Sequence, residues 1–152
     1  MTSSPHLRIV AGGPERRAGI SAEIAARTGI DDAMIERLVR TFYGRTAADP
    51  VLGPIFDAHV EDWETHIARL CDFWSSVALM TGRYHGTPMS THMVLPLSPA
   101  AFDRWLALFE EAAREVCPAP AADHFIERAR RIAASLEMGA AARRGEIVAP
   151  RR

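Results

Sequence analysis

The chain has 152 residues, enough for one domain with a sizeable buried core. It is 48% hydrophobic and 24% charged with a formal net charge of −1, so bulk electrostatics give no pull toward nucleic acid or an anionic membrane. No apolar run is long enough to span a bilayer, and residues 1–17 lack the apolar stretch of a signal peptide, so a cytoplasmic protein is expected. All 18 basic residues are Arg, which reads as the coding bias of a GC-rich genome and not as chemistry. Cys71 and Cys117 match no metal or redox spacing, and free thiols are expected.

Residues 1–28 mix Ser, Pro, Gly and Arg and are expected to form an N-terminal extension, partly disordered or a short helix. Asp31 and Asp32 then stand where an N-cap and a dipole-compensating acid belong. Ile35, Leu38, Val39 and Phe42 make one apolar stripe, which predicts a helix over 31–47. Pro50, Gly53 and Pro54 are expected to break the chain. A second helix is predicted over 62–80, with Trp63, Ile67, Leu70, Phe73, Trp74 and Val77 on its buried side. Gly82 ends it, and the stretch through Gly86 and Pro88 reads as loop.

Ser98-Pro99 is a helix start: a capping hydroxyl, then Pro where its missing N–H costs nothing. The helix that follows carries Phe102, Trp105, Leu106, Phe109 and Val116, and Cys117-Pro118 with Pro120 should stop it. A last helix is predicted over 122–138, burying Phe125, Ile126, Ala129, Ile132, Ala133 and Leu136, with 139–152 a flexible tail. No segment alternates apolar and polar residues far enough to argue for a strand, so the class is all-α.

Of the six histidines, His6, His59, His85 and His124 stand at ends and breaks with no companion that suggests a site. His66 shares a helix face with Leu70, Phe73 and Val77, and so points toward the core side. From spacing alone the favoured reading is a core-edge histidine satisfied by a backbone carbonyl. His92 lies among Met89, Met93 and Leu95, apolar neighbours that would shield and orient an axial metal ligand. Tyr43 and Trp105 each bring a polar hydrogen to an apolar helix face. No phosphate loop, nucleophile elbow or zinc-binding His-Glu-x-x-His is present.

Several runs occur in order: Phe42-Tyr43, Asp49-Pro50-x-Leu52-Gly53-Pro54-Ile55-Phe56, Trp63-x-x-His66, Phe73-Trp74 and Tyr84-x-Gly86-x-Pro88. They continue as His92-x-x-Leu95-Pro96 and Phe102-x-x-Trp105-Leu106-x-Leu108-Phe109. Together the set, spanning residues 30–136, resembles the truncated haemoglobins and specifically their third group. The resemblance implies a globin-like two-over-two helical sandwich over residues 29–138, around one haem b. It makes His92 the proximal iron ligand, Tyr43, His66 and Trp105 the distal residues, and Phe56 a ring stacked on the haem. Leu70, Phe73 and Trp74 would line or support the distal side, and Met89, Met93 and Leu95 the surroundings of His92. Its implied ligands are O2, NO, CO and peroxide, and redox chemistry on them, peroxidase-like or nitric oxide dioxygenase-like, would need an outside electron donor. Two donors aimed at one small ligand favour such chemistry over transport. Neither nucleic acid nor a membrane is an expected partner, and a single compact domain makes a monomer the default.

Two alternatives stand beside this reading. The same pocket would serve a gas sensor acting through a separate partner. Alternatively, residues 22–30 followed by the 31–47 helix read as a DNA-binding helix-turn-helix, although the span from Arg16 to Arg45 holds six arginines against four acids, a mild excess.

Overall fold

The computed structural model describes residues 13–59, 62–84 and 98–143, and among them every regular element is a helix. Within the N-terminal region, residues 14–28 form a full helix, α1 (Pro14–Thr28). Proline opens it, and Gly29 closes it at φ 77°, donating its N–H to the Ala25 carbonyl at 2.7 Å. Ile24 and Thr28 are buried, and the Ser21 hydroxyl donates to the Leu79 carbonyl at 2.5 Å, so α1 is docked and not loosely held.

Helix α2 (Asp32–Ala48) starts where a side-chain oxygen of Asp31 accepts from the Met34 N–H at 2.8 Å. Its stripe of Ile35, Leu38, Val39, Phe42 and Tyr43 is entirely buried. This helix would have been the recognition helix of a DNA-binding hairpin. Arginines on its outer face are drawn into ion pairs within the protein, Arg40 with Glu36 and Glu64 and Arg45 with Glu115, so that face is not a free basic surface.

A short helix, α3 (Leu52–His59), occupies the stretch expected to be a break. Two features rescue a sequence that contains Gly53 and Pro54. The Asp49 carboxylate accepts from the Val51 and Leu52 N–H groups, each at 2.9 Å, and caps the helix. Pro54 falls in the first turn, where an N–H has no intrahelical partner to lose. Gly53 is required there because a Cβ would come within 2.5 Å of the Ala47 carbonyl oxygen, so any side chain would push α3 off the end of α2.

Helix α4 (Trp63–Leu79) is capped by Asp62, which accepts from the Glu64 N–H at 3.2 Å and the Thr65 hydroxyl at 2.6 Å. It ends at Met80, a non-glycine residue in the left-handed region at φ 58°. Helix α5 (Pro99–Val116) begins at Ser98, whose hydroxyl accepts from the Ala101 N–H at 3.1 Å. Helix α6 (Ala119–Arg143) is longer than predicted at both ends. Pro120 opens the helix instead of delaying it, and the residues after Met138, rich in alanine, continue it as far as Arg143.

The helices pack as two pairs. In one, Arg40 of α2 meets Glu64 near the start of α4, and Asp32 at the start of α2 meets Arg83 just past the end of α4, so the two run antiparallel. In the other, Arg114 pairs with Asp123 across the turn and Glu110 with Arg130 farther along, so α5 and α6 are antiparallel as well. The pairs face each other through Phe42, Trp74, Phe109 and Phe125, all essentially inaccessible to solvent. Helix α1 lies across α4 and α6, and α3 spans from α2 to α5. Among the described residues no helix is long and apolar enough to cross a membrane.

Candidate functional site

The antiparallel run of α2 and α4 brings Tyr43 and His66 together, their rings nearly perpendicular at 86° with centroids 5.7 Å apart. Trp63 also meets the imidazole edge-on, at 5.6 Å. Phe56 closes on Tyr43 from α3 at 6.3 Å, and its position depends on the close approach that Gly53 permits. From α5, Trp105 meets Phe42 edge-on at 5.4 Å and stacks on Phe109 at 5.9 Å, so the neighbouring ring of Phe42 ties it to Tyr43.

Tyr43 and Trp105 are 3% and 6% exposed, which decides that their polar hydrogens cannot rely on bulk water. Burial pushes the Tyr43 phenol far above its ordinary range and keeps it protonated. The Trp105 indole N–H lies close enough to the phenol to oppose that shift, yet it does not reach hydrogen-bond geometry and has no partner among the described residues. A buried indole N–H ordinarily finds an acceptor. An unmet donor beside a protonated phenol is a place where a small acceptor would be held.

Phe73 and Trp74 stand farther along α4. Trp74 stacks on Phe109 at 4.8 Å and meets Phe125 at 6.2 Å, which puts it behind Trp105 and not beside Tyr43. Its indole N–H is also buried without a partner among the described residues. Leu70 is half-buried against the core. His92, Met89, Met93 and Leu95 lie outside the described residues.

The sequence reading did not single out the pair Asp49 and Arg104. The buried Asp49 carboxylate accepts from the Arg104 guanidinium at 2.7 Å while capping α3, and so ties the corner carrying Phe56 to the residue beside Trp105. Burial opposes ionisation of Asp49, but the Leu52 N–H, Arg104 and the Val51 N–H outweigh it and leave its carboxyl below the usual range. An acid four residues ahead of a glycine-proline pair was the available signal, although its partner is 55 positions away. Burial raises both thiols, that of Cys117 to about 11, so neither is poised as a nucleophile. His124 bonds to the Ala78 carbonyl at 2.8 Å and joins α6 to α4, away from the Tyr43 cluster. Among the described residues no group of three or more His, Cys, Asp or Glu gathers to hold a metal ion.

Comparisons with known proteins agree with this architecture. The profile of the bacterial-like globins matches residues 27–138. The chain is 34% identical over 113 residues to the group 3 truncated hemoglobin ctb of Campylobacter jejuni, covering 71% of this chain and 89% of that protein. It is 32% identical over 90 residues to the group 2 truncated hemoglobin YjbI of Bacillus subtilis, covering 55% of this chain and 64% of the relative. The crystal structure of a group III truncated hemoglobin from Campylobacter jejuni superposes with a TM-score of 0.66, over 71% of this chain and 89% of that one.

Proposed function

We propose that this chain, which belongs to the bacterial-like globins and among them to the truncated haemoglobins of the third group, uses haem b for redox chemistry on O2, NO or a peroxide and not for oxygen transport. Membership of that family carries with it haem-based binding of small gases such as O2. The residues present fit such a group. Trp105 offers a buried N–H with no partner among the described residues, beside the buried phenol of Tyr43 and the imidazole of His66. That unmet donor is the observation that carries the reading.

In this proposal His92 holds the iron, Phe56 and Leu70 face the porphyrin, and Phe73 supports the distal side beside Trp74. Met89, Met93 and Leu95 surround His92, and Trp74 supports Trp105 from behind. When bound, haem supplies an iron centre that takes up O2, NO, CO or peroxide and exchanges electrons with it. The chain's own groups do the rest. Tyr43 and Trp105 donate hydrogen bonds to a small ligand between them, each contributing about 0.5–1.5 kcal/mol net. Since about 1.4 kcal/mol is tenfold, two such donors slow oxygen release by up to two powers of ten. A protein that retains oxygen so firmly delivers it poorly, which favours reaction over transport. In this reading His66, whose ring meets Tyr43, holds or passes a proton at its imidazole. Phe42, Phe56 and Trp63 exclude water, which strengthens each of these dipoles. Turnover draws on an electron donor outside this chain.

The deciding experiment is an absorption spectrum of the purified protein, oxidised, reduced, and reduced under carbon monoxide. A Soret band that shifts on reduction and again with carbon monoxide is expected. A folded, helical protein with no Soret band after incubation with hemin would refute the reading. For the ligand assignment, His92→Ala should abolish stable haem uptake, and a variant that purifies fully loaded removes it.

A further inference from the structure

We propose that the rings of Trp105, Phe109, Trp74, Phe73 and Tyr84 form an electron-transfer column, which carries one electron from Tyr84 at the surface to the Tyr43–Trp105 end of the molecule during reduction of a peroxide. The inference rests on the haem reading above and adds a route for the second electron that this reaction requires.

The rings touch in unbroken succession. Trp105 stacks on Phe109 at 5.9 Å and 14°, and Phe109 stacks on Trp74 at 4.8 Å and 18°. Trp74 meets Phe73 edge-on at 5.3 Å, and Phe73 meets Tyr84 edge-on at 5.2 Å. The three oxidisable rings are therefore each separated by one phenylalanine. A phenyl ring is too hard to oxidise to hold the charge, but its π-system bridges the orbitals on either side. The outer end is fixed, because the Tyr84 N–H donates to the Ser76 hydroxyl at 2.9 Å and holds Tyr84 over Phe73.

Core packing alone does not require this arrangement. Phenylalanine in place of Trp74 or Trp105 would fill much of the same space without stranding an indole N–H, and a buried donor left unmet costs free energy. For electron transfer the unmet N–H is an advantage. An oxidised indole is strongly acidic at nitrogen, and Trp74, with no acceptor among the described residues, keeps its proton. The charge then stays mobile instead of being trapped as a neutral radical. The faces of Phe109 on both indoles stabilise positive charge in passing. Tyr84 is half-exposed and can release its phenolic proton to water, so the oxidation comes to rest there. Tyr43 is equally oxidisable but fully enclosed, and burial opposes loss of its proton.

The electrons balance. A peroxide takes two electrons and two protons and leaves an alcohol, or water, plus water. Bound haem would supply one electron and Trp105 the other, with both protons drawn from water. Trp74 refills Trp105, and Tyr84 refills Trp74 as its proton passes to water. A diffusing one-electron donor of the ascorbate or phenol class then restores the electron and proton to Tyr84, and a second equivalent of the same donor would restore the electron that the haem supplied.

The test treats the haem-loaded full chain with hydrogen peroxide and a nitrosoalkane spin trap, then maps adducts by peptide mass spectrometry. The adduct is expected on Tyr84. Phe109→Leu and Phe73→Leu keep every oxidisable ring and break the column at two places. Each should lower Tyr84 labelling by about an order of magnitude, with Phe109→Leu moving the label to Trp105. Phe73 is only half-buried, so its variant serves if Phe109→Leu fails to fold. Undiminished Tyr84 labelling in the Phe73 variant overturns the column, as does an adduct on Trp63 or Tyr43 in its place. A protein with its Soret band intact and no Tyr84 adduct overturns the column alone, whereas a chain that takes up no haem overturns both readings.

Discussion

Tyr43 makes its ring contacts with Phe42, Phe56 and His66 through carbon atoms that phenylalanine would also supply. Tyr43→Phe therefore removes one donor and leaves the packing in place. In the ferrous, haem-loaded protein it should speed oxygen dissociation by up to about tenfold, the equivalent of one neutral hydrogen bond. Trp105→Phe should act in the same direction, and the double variant should exceed either single one. Stopped-flow displacement of O2 by carbon monoxide reads all three, and equal off-rates across the native and variant proteins would sink the role of the distal donors. In the sequence, the distal role proposed for these two residues rests on the ordered set of runs that resembles the truncated haemoglobins. Spacing put each on an apolar face, but nothing in spacing says that one comes from α2, the other from α5, and that Phe42 stands between them. The stack of Trp74 on Phe109 was invisible for the same reason, since ring contacts between helices are set by how the two pairs cross.

Among the elements, α2, α4 and α5 were readable because each combines a 3.6-residue apolar stripe with a side-chain cap at its start. Helix α3 was not, because its residues are turn formers and its stability comes from Asp49 outside the helix. Asp49→Ala should lower stability by about 1–2 kcal/mol, mainly from the lost cap. Arg104 is half-exposed, so its ion pair adds little to that figure. The pH dependence has a definite sign. Because the folded protein holds the Asp49 carboxyl below its ordinary value, the stabilisation is complete above about pH 4 and is lost as pH falls through that range. Urea midpoints across that window should converge for the native protein and Asp49→Asn. A constant gap down to strongly acidic pH would show that the charge contributes nothing. The end of α4 offers an opposite test, because exposed Met80 occupies a left-handed conformation that glycine adopts without penalty. Met80→Gly should raise stability by about 1 kcal/mol, and a lower urea midpoint would mean that the side chain contributes more than the backbone strain costs.

For the whole molecule the open question is what α1 adds, since the globin profile matches residues 27–138 and leaves nearly all of this helix outside. Its anchor points answer in part. Ser21 bonds to Leu79, and Arg17 lies against Gly82, both at the C-terminal end of α4. His66 sits near the opposite end of that helix, on the order of 20 Å away given the helical rise. Helix α1 should therefore act as a buttress for the α4–α6 side without touching the ligand site. Its buried anchor is Ile24, 6% exposed, and Ile24→Ala should cost about 2–3 kcal/mol from lost burial and the cavity left behind. Removing residues 1–28 should cost more, because it also strips cover from Leu79 and leaves that residue's carbonyl without the Ser21 hydroxyl. In both proteins the oxygen off-rate should match the native value once the remaining folded fraction is loaded with haem. Calorimetry and stopped-flow on the same samples separate the two effects. If stability falls and the off-rate holds, the extension is a structural addition to a self-sufficient pocket; if the off-rate moves while stability holds, α1 reaches the site through α4, and the separation argued from its anchor points is wrong.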